Sequence, residues 1–388
     1  MNKVNWKGLR LGEVAEFING RAFKPNEWET QGKLIIRIQD LTGSITNPNY
    51  TTKAFEDKYL VKKGDLLISW SATLDAFIWN KEDGWLNQHI FKVKADNKVL
   101  NSKYLFYFVK ESIILFTKKT HGSTMKHITK GNFESIKIPI PFLNGKPDLE
   151  SQQRIVAILE KAEKIKTDGK RAIELFDEYL KSVFNEMFVG KGFSLTKLAD
   201  LCNEITDGSH RTPKLLNEGY PFLTVANLGD SNFDYTGVKR ISKAEYLDLV
   251  KNGCRPEKGD VLFSKDGTVG KVMRINKTEE IVVLSSIAIL KPDTELLDSI
   301  YLEYSLKSDD VLSQAIKKKS GSAIRRIILR QLKNVNIYAP HLNIQQKFAS
   351  IVEHVEKLKE KKKIGNKNNE ELFDLLMQKA FRGELANE

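Results

Sequence analysis

Side chains able to donate to phosphate oxygens and to base edges are gathered at turns. Asn19-Gly20-Arg21-Ala22-Phe23-Lys24-Pro25 and Asp207-Gly208-Ser209-His210-Arg211-Thr212-Pro213 each set a glycine beside basic residues. Glycine permits a tight turn with backbone close to a phosphate, so Gly20, Arg21 and Lys24, and Asp207, Ser209, His210 and Arg211, are candidate DNA contacts. An ordinary turn is the alternative for Asp207-Gly208. Gly122-Ser123-Thr124-Met125-Lys126-His127 follows Lys118-Lys119, and Gly321-Ser322-Ala323-Ile324-Arg325-Arg326 follows Lys317-Lys318-Lys319. Ser123, Lys126, His127, Ser322, Arg325 and Arg326 suit phosphate clamping combined with a basic side chain reading guanine; the alternative is a solvated basic loop. Trp70-Ser71-Ala72-Thr73 and Lys265-Asp266-Gly267-Thr268 form a third pair, adding Trp70, Ser71, Thr73, Lys265 and Thr268, with a structural role as the alternative.

A reactive centre is harder to find. A DNA methyltransferase would carry an Asn/Asp-Pro-Pro-aromatic loop, and no Pro-Pro pair occurs in the chain. Gly267-Thr268-Val269-Gly270-Lys271 lacks the length and the terminal hydroxyl residue of a phosphate-binding loop. His89, His121, His127, His210, His341 and His354 never fall at the spacing of a helical zinc site, and Cys202 and Cys254 cannot make a disulfide framework or a four-thiolate site. Asp148 followed by Asp168-Gly169-Lys170 has the residue types of a metal-dependent endonuclease, but at a domain exit and mid-helix, where they cannot converge. No catalytic or metal-binding residue is expected.

The composition fits this reading. The 388 residues favour two or three domains. Sixty-two Lys and Arg against 50 Asp and Glu give a net charge of +12, which suits a polyanionic partner without deciding between nucleic acid and an acidic membrane. With 41% hydrophobic residues the chain can build packed cores. The longest apolar run, Ile281 to Leu290, is too short to span a bilayer, and Met1-Asn2-Lys3 leads into no apolar signal core. A soluble, cytoplasmic protein is expected.

The elements that must position these turns occur twice. Leu11-Gly12-Glu13-Val14 returns as Leu198-Ala199-Asp200-Leu201, and Lys63-Gly64-Asp65-Leu66-Leu67-Ile68-Ser69 as Lys258-Gly259-Asp260-Val261-Leu262-Phe263-Ser264. The Gly-Ser turns, Gln152-Gln153 and Gln345-Gln346, and Glu174-Leu175-Phe176 and Glu371-Leu372-Phe373 follow in the same order at offsets of about 195 residues. Each copy begins with short apolar runs bounded by Gly, Pro and Asn, the pattern of strands and turns. A helix is predicted over Ser102 to Lys118. From Leu149, and again after Pro340, apolar residues recur at steps of three and four. Ile155, Leu159, Ala162, Phe176 and Leu180, and Ile351, Val355, Leu358, Leu372 and Leu376, are the expected packing positions. The stripes can pack on one another as an antiparallel coiled coil or each on its preceding domain. Gly169 and Gly365 are expected to mark a break or kink. The expected division is 1–148 and 194–340 for the mixed domains, 149–193 and 341–388 for the helical spacers. The fold class is mixed α+β: two similar globular domains and two long helices, related by an internal pseudo-two-fold repeat.

The D-G-x-H-x-x-P segment at Asp207–Pro213, its N-G-x-A-F-K counterpart at Asn19–Lys24, the two Lys-Gly-Asp strands, the Gly-Ser turns and the Gln-Gln-headed helices together resemble the specificity (S) subunits of type I restriction–modification enzymes. The likeness covers essentially the whole chain in the family's order of domain, helix, domain, helix. It implies a DNA-reading subunit without catalysis of its own. In the family each target-recognition domain reads one half of a split target, and the helices set the separation and dock two methyltransferase (M) subunits, which use S-adenosylmethionine to methylate adenine N6. Two restriction (R) subunits, using ATP and Mg, translocate and cut. The resemblance therefore implies double-stranded DNA and M and R subunits as partners, and no cofactor on this chain. The two opening segments differ, and all five tryptophans (Trp6, Trp28, Trp70, Trp79, Trp85) lie in the first copy, which suits an asymmetric target. Trp6 and Trp79 are expected in the core, while Trp28 and Trp85 are undecided. Rival readings are a specificity subunit serving a partner that fuses methylation and cleavage, an autonomous metal-dependent endonuclease, and an assembly scaffold without DNA selectivity.

Overall fold

The computed structural model describes residues 4–44, 47–71, 73–119, 130–229, 232–315 and 326–385. The chain divides into two compact units, Met1–Lys170 with Ile364–Glu388, and Arg171–Lys363. Each mixes sheets with helices.

The central sheet of the first unit has the order Ala15–Asn19, Ile90–Ala95, Leu66–Ser69, Asp75–Ile78, all antiparallel. The second unit repeats it with Cys202–Asp207, Ile287–Pro292, Val261–Ser264 and Val272–Arg274. The register is the same: Leu66 faces Val93 and Ile78, and Val261 faces Leu290 and Arg274. Leu66–Ser69 and Val261–Ser264 are buried along their whole length. Their near-continuous apolar sequence follows from having a core on both faces, since alternate side chains point to opposite sides. Leu66 and Ile68 enter one cluster and Leu67 another; Val261 and Phe263 part from Leu262 in the same way.

The Lys-Gly-Asp motif is the turn into this strand. Gly64 and Gly259 have φ of +96° and +94°, a left-handed conformation that favours glycine. The Asp65 carboxylate accepts the Lys62 N–H at 2.8 Å, and that of Asp260 accepts the Glu257 N–H at 2.8 Å. Lys92 and Lys291 pair with these carboxylates at 3.2 and 3.3 Å. A smaller sheet flanks each central one. In it Lys33–Ile36 runs parallel to Gly84–Leu86, and Tyr220–Leu223 parallel to Val282–Val283.

The helix Ser102–Lys119 forms as its pattern predicts. The long helices span Leu149–Phe188 and Leu342–Arg382, both uninterrupted, so Gly169 and Gly365 break neither. Gly169 instead admits Asn366: a Cβ there would lie 2.1 Å from the Asn366 Oδ1, whereas Gly365 faces open space. In the first unit the halves run antiparallel, with Gly169 against Asn366 and the Lys166 ammonium over the Phe373 ring at 4.9 Å. In the second unit Asp177 pairs with Lys359, and Phe184 meets Phe348 at 5.5 Å between centroids.

Each long helix packs on the other and also on the mixed domains, its first half on the domain that precedes it and its second half on the other one. Ile155 and Leu159 join Phe373, Met377 and Ala380 in the same cluster as Tyr104, Phe108 and Ile140 of the mixed domain, with Ala162 and Leu376 beside it. Leu180 and Phe184 join Phe348, Val352 and Val355 in the cluster of Phe263 and Tyr301, with Phe176 and Ile351 beside it. Leu358 and Leu372 depart from expectation, being 40% and 51% exposed. From Val352 to Val355 to Leu358 is two successive three-residue steps, which rotate the last side chain out of a stripe that alternates threes and fours; the half-buried Lys359 and the buried Phe373 take the inward positions.

The first glutamine of each Gln-Gln pair is fully buried and ties helix to domain. The Gln152 Oε1 accepts the Asn101 N–H at 2.8 Å while its Nε2 donates to the Val99 carbonyl at 3.0 Å. Gln345 accepts the Asp298 N–H at 2.9 Å and donates to the carbonyls of Leu296 and Pro340 at 2.9 and 2.8 Å. Tyr104 and Tyr301 repeat a second tie, their hydroxyls donating to the carbonyls of Pro139 and Tyr338. Replacing Gln345 by Ala leaves buried backbone groups unpaired and is expected to lower stability by about 1–3 kcal/mol in a chemical-denaturation titration; unchanged stability would show that the tie contributes nothing.

Candidate nucleic-acid interface

Each central sheet ends in a cluster of loops held by the same backbone bonds. The opening segment leaves the strand Ala15–Asn19, and the Gly20 N–H donates to the Ile90 carbonyl at 3.0 Å and the Arg21 N–H to the Leu86 carbonyl at 3.1 Å. In the second unit the Gly208 N–H donates to the Ile287 carbonyl at 3.2 Å and the Ser209 N–H to the Val283 carbonyl at 2.9 Å. A Cβ on Gly20 would lie 1.9 Å from the Asn87 carbonyl oxygen, and one on Gly208 2.0 Å from that of Val283. The glycine at this point is therefore imposed by strand approach.

The loop after each buried strand turns on a serine. The Ser69 hydroxyl donates to the Thr73 carbonyl and accepts the Asp75 N–H at 3.1 Å. The Ser264 hydroxyl donates to the Thr268 carbonyl at 2.6 Å and accepts the Lys271 N–H at 2.7 Å. The next residue closes onto the opening segment. In the first unit the Trp70 indole N–H donates to the Asn19 Oδ1 at 3.3 Å, and its ring packs on His89 and Phe91. In the second unit Lys265 forms an ion pair with Asp207, whose other carboxylate oxygen lies 3.3 Å from the His210 Nε2. Lys265 also accepts the Ile327 N–H at 2.7 Å through its carbonyl, and the next residue, Asp266, bridges to Arg326. The described end of the second Gly-Ser segment thus meets the other two loops at Lys265 and Asp266.

The candidate residues separate into those facing solvent and those facing inward. Lys24, Thr73, His210, Arg211, Thr268 and Arg326 are exposed, and Trp70 and Ser71 are half-buried. Arg21 is half-buried as well, paired with Glu27 at 3.0 Å and lying over the rings of Phe55 and Phe23 at 4.0 and 4.6 Å. The Lys24 N–H and then Arg21 hold the Glu27 carboxyl below its ordinary range. Arg211 pairs with Asp248. Ser209 is buried, and its hydroxyl donates to the Arg211 carbonyl at 2.7 Å; Lys265 is 2% exposed. The polar side-chain atoms of Ser209 and Lys265 thus face inward, onto Arg211 and Asp207. Ser123, Lys126, His127, Ser322 and Arg325 lie outside the described residues.

One contact went unrecognised in the sequence. Asn19 is the partner of Trp70, and the signal was its alignment with Asp207, opposite the alignment of Trp70 with Lys265. Trp85 is buried among Phe23, Ile35 and Phe55, whereas Trp28 is 46% exposed. Asp148 caps the first long helix, accepting from the Ser151 N–H at 3.0 Å, and Asp168 pairs with Lys164 at 2.7 Å. Twenty residues apart along a helical rise, these two acids sit about 30 Å from one another. Among the described residues no cluster of three or more His, Cys, Asp or Glu could hold a metal ion, and no helix is long and apolar enough to cross a membrane.

The two units share one scaffold and present unlike loop clusters, the architecture of a duplicated domain. A family model described as the type I restriction modification DNA specificity domain matches residues 3–175 and again 191–369. The chain belongs to this family, as a type I restriction–modification specificity subunit. It is 22% identical over 423 residues to the type I restriction enzyme EcoBI specificity subunit of Escherichia coli, covering 98% of this chain and 86% of that one. It is 22% identical over 408 residues to the MjaVIII specificity subunit of Methanocaldococcus jannaschii, covering 97% and 93%. Its fold is similar to a solved chain of a type I restriction–modification system, with a TM-score of 0.61, 18% identity and coverage of 99% and 100%. It is similar also to the type I S subunit from M. genitalium, with a TM-score of 0.54, 15% identity and coverage of 98% and 97%.

Gly208→Ala drives a Cβ into a backbone carbonyl that the sheet holds in place. We expect a loss of about 1–3 kcal/mol in denaturant titration, the cost of overpacking a site that cannot relax. Wild-type stability would show that the strand approach is not constraining.

Proposed function

We propose that this chain is the non-catalytic subunit that reads a bipartite, asymmetric DNA target and positions adenine-N6 methyltransferase and restriction subunits on it. The observation that carries the proposal is the pair of loop clusters: identical backbone bonding at Gly20 and Gly208 and at Ser69 and Ser264, with different side chains around them. Sequence is read by side chains at base edges, while phosphate contacts set register. Gly20, Arg21, Lys24, Trp70, Ser71 and Thr73 contribute to one half-site, with Ser123, Lys126 and His127. Asp207, His210, Arg211, Thr268, Arg326, Ser322 and Arg325 serve the other, with Ser209 and Lys265 supporting them. The proposed division assigns 1–148 and 194–340 to recognition, and 149–193 and 341–388 to spacing and docking.

Apolar side chains left exposed on the long helices favour docking of partner subunits. Ile165, Ile364 and Leu375 are 47%, 58% and 48% exposed in the first unit, as is Leu175, at 48%, in the second. Two M and two R subunits would supply S-adenosylmethionine, ATP and Mg chemistry, and the work on DNA would take place in the cytoplasm.

The test co-expresses this chain with its methyltransferase subunit and maps methylated adenines in cellular DNA. One split motif with unlike halves is expected, and methylation without regard to base order would refute the proposal. Removing one or two turns from each long helix, whose 40 and 41 residues span roughly 60 Å at a rise of about 1.5 Å per residue, should change the unread spacer and preserve both half-sites. An unchanged spacer would refute the ruler role. Affinity for the target should fall steeply between about 50 and 200 mM salt.

A further inference from the structure

Arg211 joins two properties that a residue setting base preference needs: it is held in place, and the D-G-x-H-x-x-P pattern leaves its identity open. That pattern sets Asp207, Gly208, His210 and Pro213, and Arg211 falls on a free position. The buried Ser209 hydroxyl donates to the Arg211 carbonyl at 2.7 Å and accepts the Arg211 N–H at 3.3 Å, which fixes the backbone. The guanidinium is held by its Nη2, which donates to the Asp248 Oδ2. Asp248 stands on the helix Lys243–Lys251, one turn beyond Glu245, whose Oε1 accepts the Lys214 N–H at 2.9 Å. Two carboxylates three residues apart on one helix face thus grip the segment. The Arg211 side chain is still 64% exposed, and the Nη2 contact engages one corner of a fork of five N–H donors. The first unit differs at both points. Aligning Gly20 with Gly208 sets Phe23 opposite Arg211, and Phe23 is buried, its ring 5.2 Å from that of Phe55. At the place of the helix the first unit has the single turn Asp57–Tyr59.

We infer that Arg211 is a specificity-determining residue of the second half-site, donating to the O6 and N7 of a guanine in the major groove, and that Asp248 is its positioning residue. Guanine is the base whose major-groove edge offers two neighbouring acceptors, which a planar fork of N–H donors meets in pairs. The other use of an exposed arginine is a phosphate clamp, and Asp248 opposes it. A carboxylate beside the guanidinium leaves the pair without net charge, so the pair gains little from the polyanion and displaces few counterions. A base edge carries no net charge, and there the neutrality is no handicap. A guanidinium already held in one geometry also loses less freedom on binding. An exposed ion pair contributes little to stability; what Asp248 supplies is direction.

The inference rests on the proposed DNA-reading function, and the experiment separates the two. The full chain is co-expressed with its methyltransferase subunit, and methylated sites are mapped for wild type, Arg211→Ala and Asp248→Ala, both changes falling on exposed side chains. Arg211→Ala should relax one G·C position of one half-site by about tenfold, while selectivity in the other half-site reports a folded subunit. Purified complexes are then bound to duplexes of the mapped target across a salt series. Replacing the N7 of that guanine by carbon should weaken wild type and leave Arg211→Ala indifferent. Asp248→Ala should lose discrimination at the same position, and its affinity should become more salt-dependent by about one in the log–log slope, because the freed guanidinium can meet a phosphate. A pair that served the fold alone would move neither readout. The inference is overturned if Arg211→Ala keeps wild-type selectivity, or if the position it relaxes is an A·T pair. It is overturned equally if Arg211→Ala weakens every sequence alike and flattens the salt dependence, the behaviour of a phosphate clamp. Asp248→Ala with wild-type discrimination removes the positioning role. A wild-type complex without base selectivity overturns the proposed function itself.

Discussion

Neither mixed domain can close its core without the ends of the long helices. Phe184 and Phe188 stack around Tyr301 and Phe348, and Tyr104 and Phe108 both meet Phe381. Burying such rings is worth on the order of 1.5–3 kcal/mol each, so a domain separated from its helices would expose the centre of its largest cluster. The glutamines Gln152 and Gln345 add direction to this adhesion, because their amides fit only one placement of the helix start against the domain loop. A rigid joint between reader and helix follows. It is the mechanical requirement for any arrangement in which helix length bears on where loops meet DNA.

The fold was largely legible because duplication turns weak motifs into an ordered set. Lys-Gly-Asp is a short string, yet its recurrence marked the strand whose turn needs a left-handed glycine and a carboxylate acceptor, and both turns have them. The long helices were legible from their stripes. Leu358 and Leu372 were misplaced because apolar type was weighed above phase, and near the centre the inward positions are taken by Lys359, Asn366 and Gly169. Polar and small residues in a seam carry no hydropathic signal. Gly169 was taken for a break for the same reason: its purpose is the space it leaves for Asn366, a fact about the other helix.

The site was legible at the level of segments and much less so at the level of side chains. Basic and hydroxyl residues at turns mark loops that face solvent, but their type does not say which way they point. Ser209 and Lys265 look like ligand-binding residues in a linear reading and are inward-facing in three dimensions, because each completes bonds that its own turn requires. Arg21 is similarly occupied by Glu27 and two rings. The partners of Arg21 and Lys265 lie 6 and 58 residues away, a pairing that local composition cannot reveal.

Comparing the copies supplies what one copy withholds. Where the backbone bonds coincide and the side chains do not, the shared part is scaffold and the exchanged part is free to vary without cost to the fold. Asn19 with Trp70, against Asp207 with Lys265, is an exchange of both members of a contact at once. One pairing buries an indole against His89 and Phe91, and the other buries opposite charges. Mixing them would strand an ammonium or a carboxylate in a site where an unpaired buried charge costs several kcal/mol. The anchors must therefore change together, whereas Ala22, exposed just beyond the first of them, takes no part in that pairing. A scaffold built this way can acquire a new surface at one loop cluster while the strand, the serine turn and the glycine beneath it stay as they are.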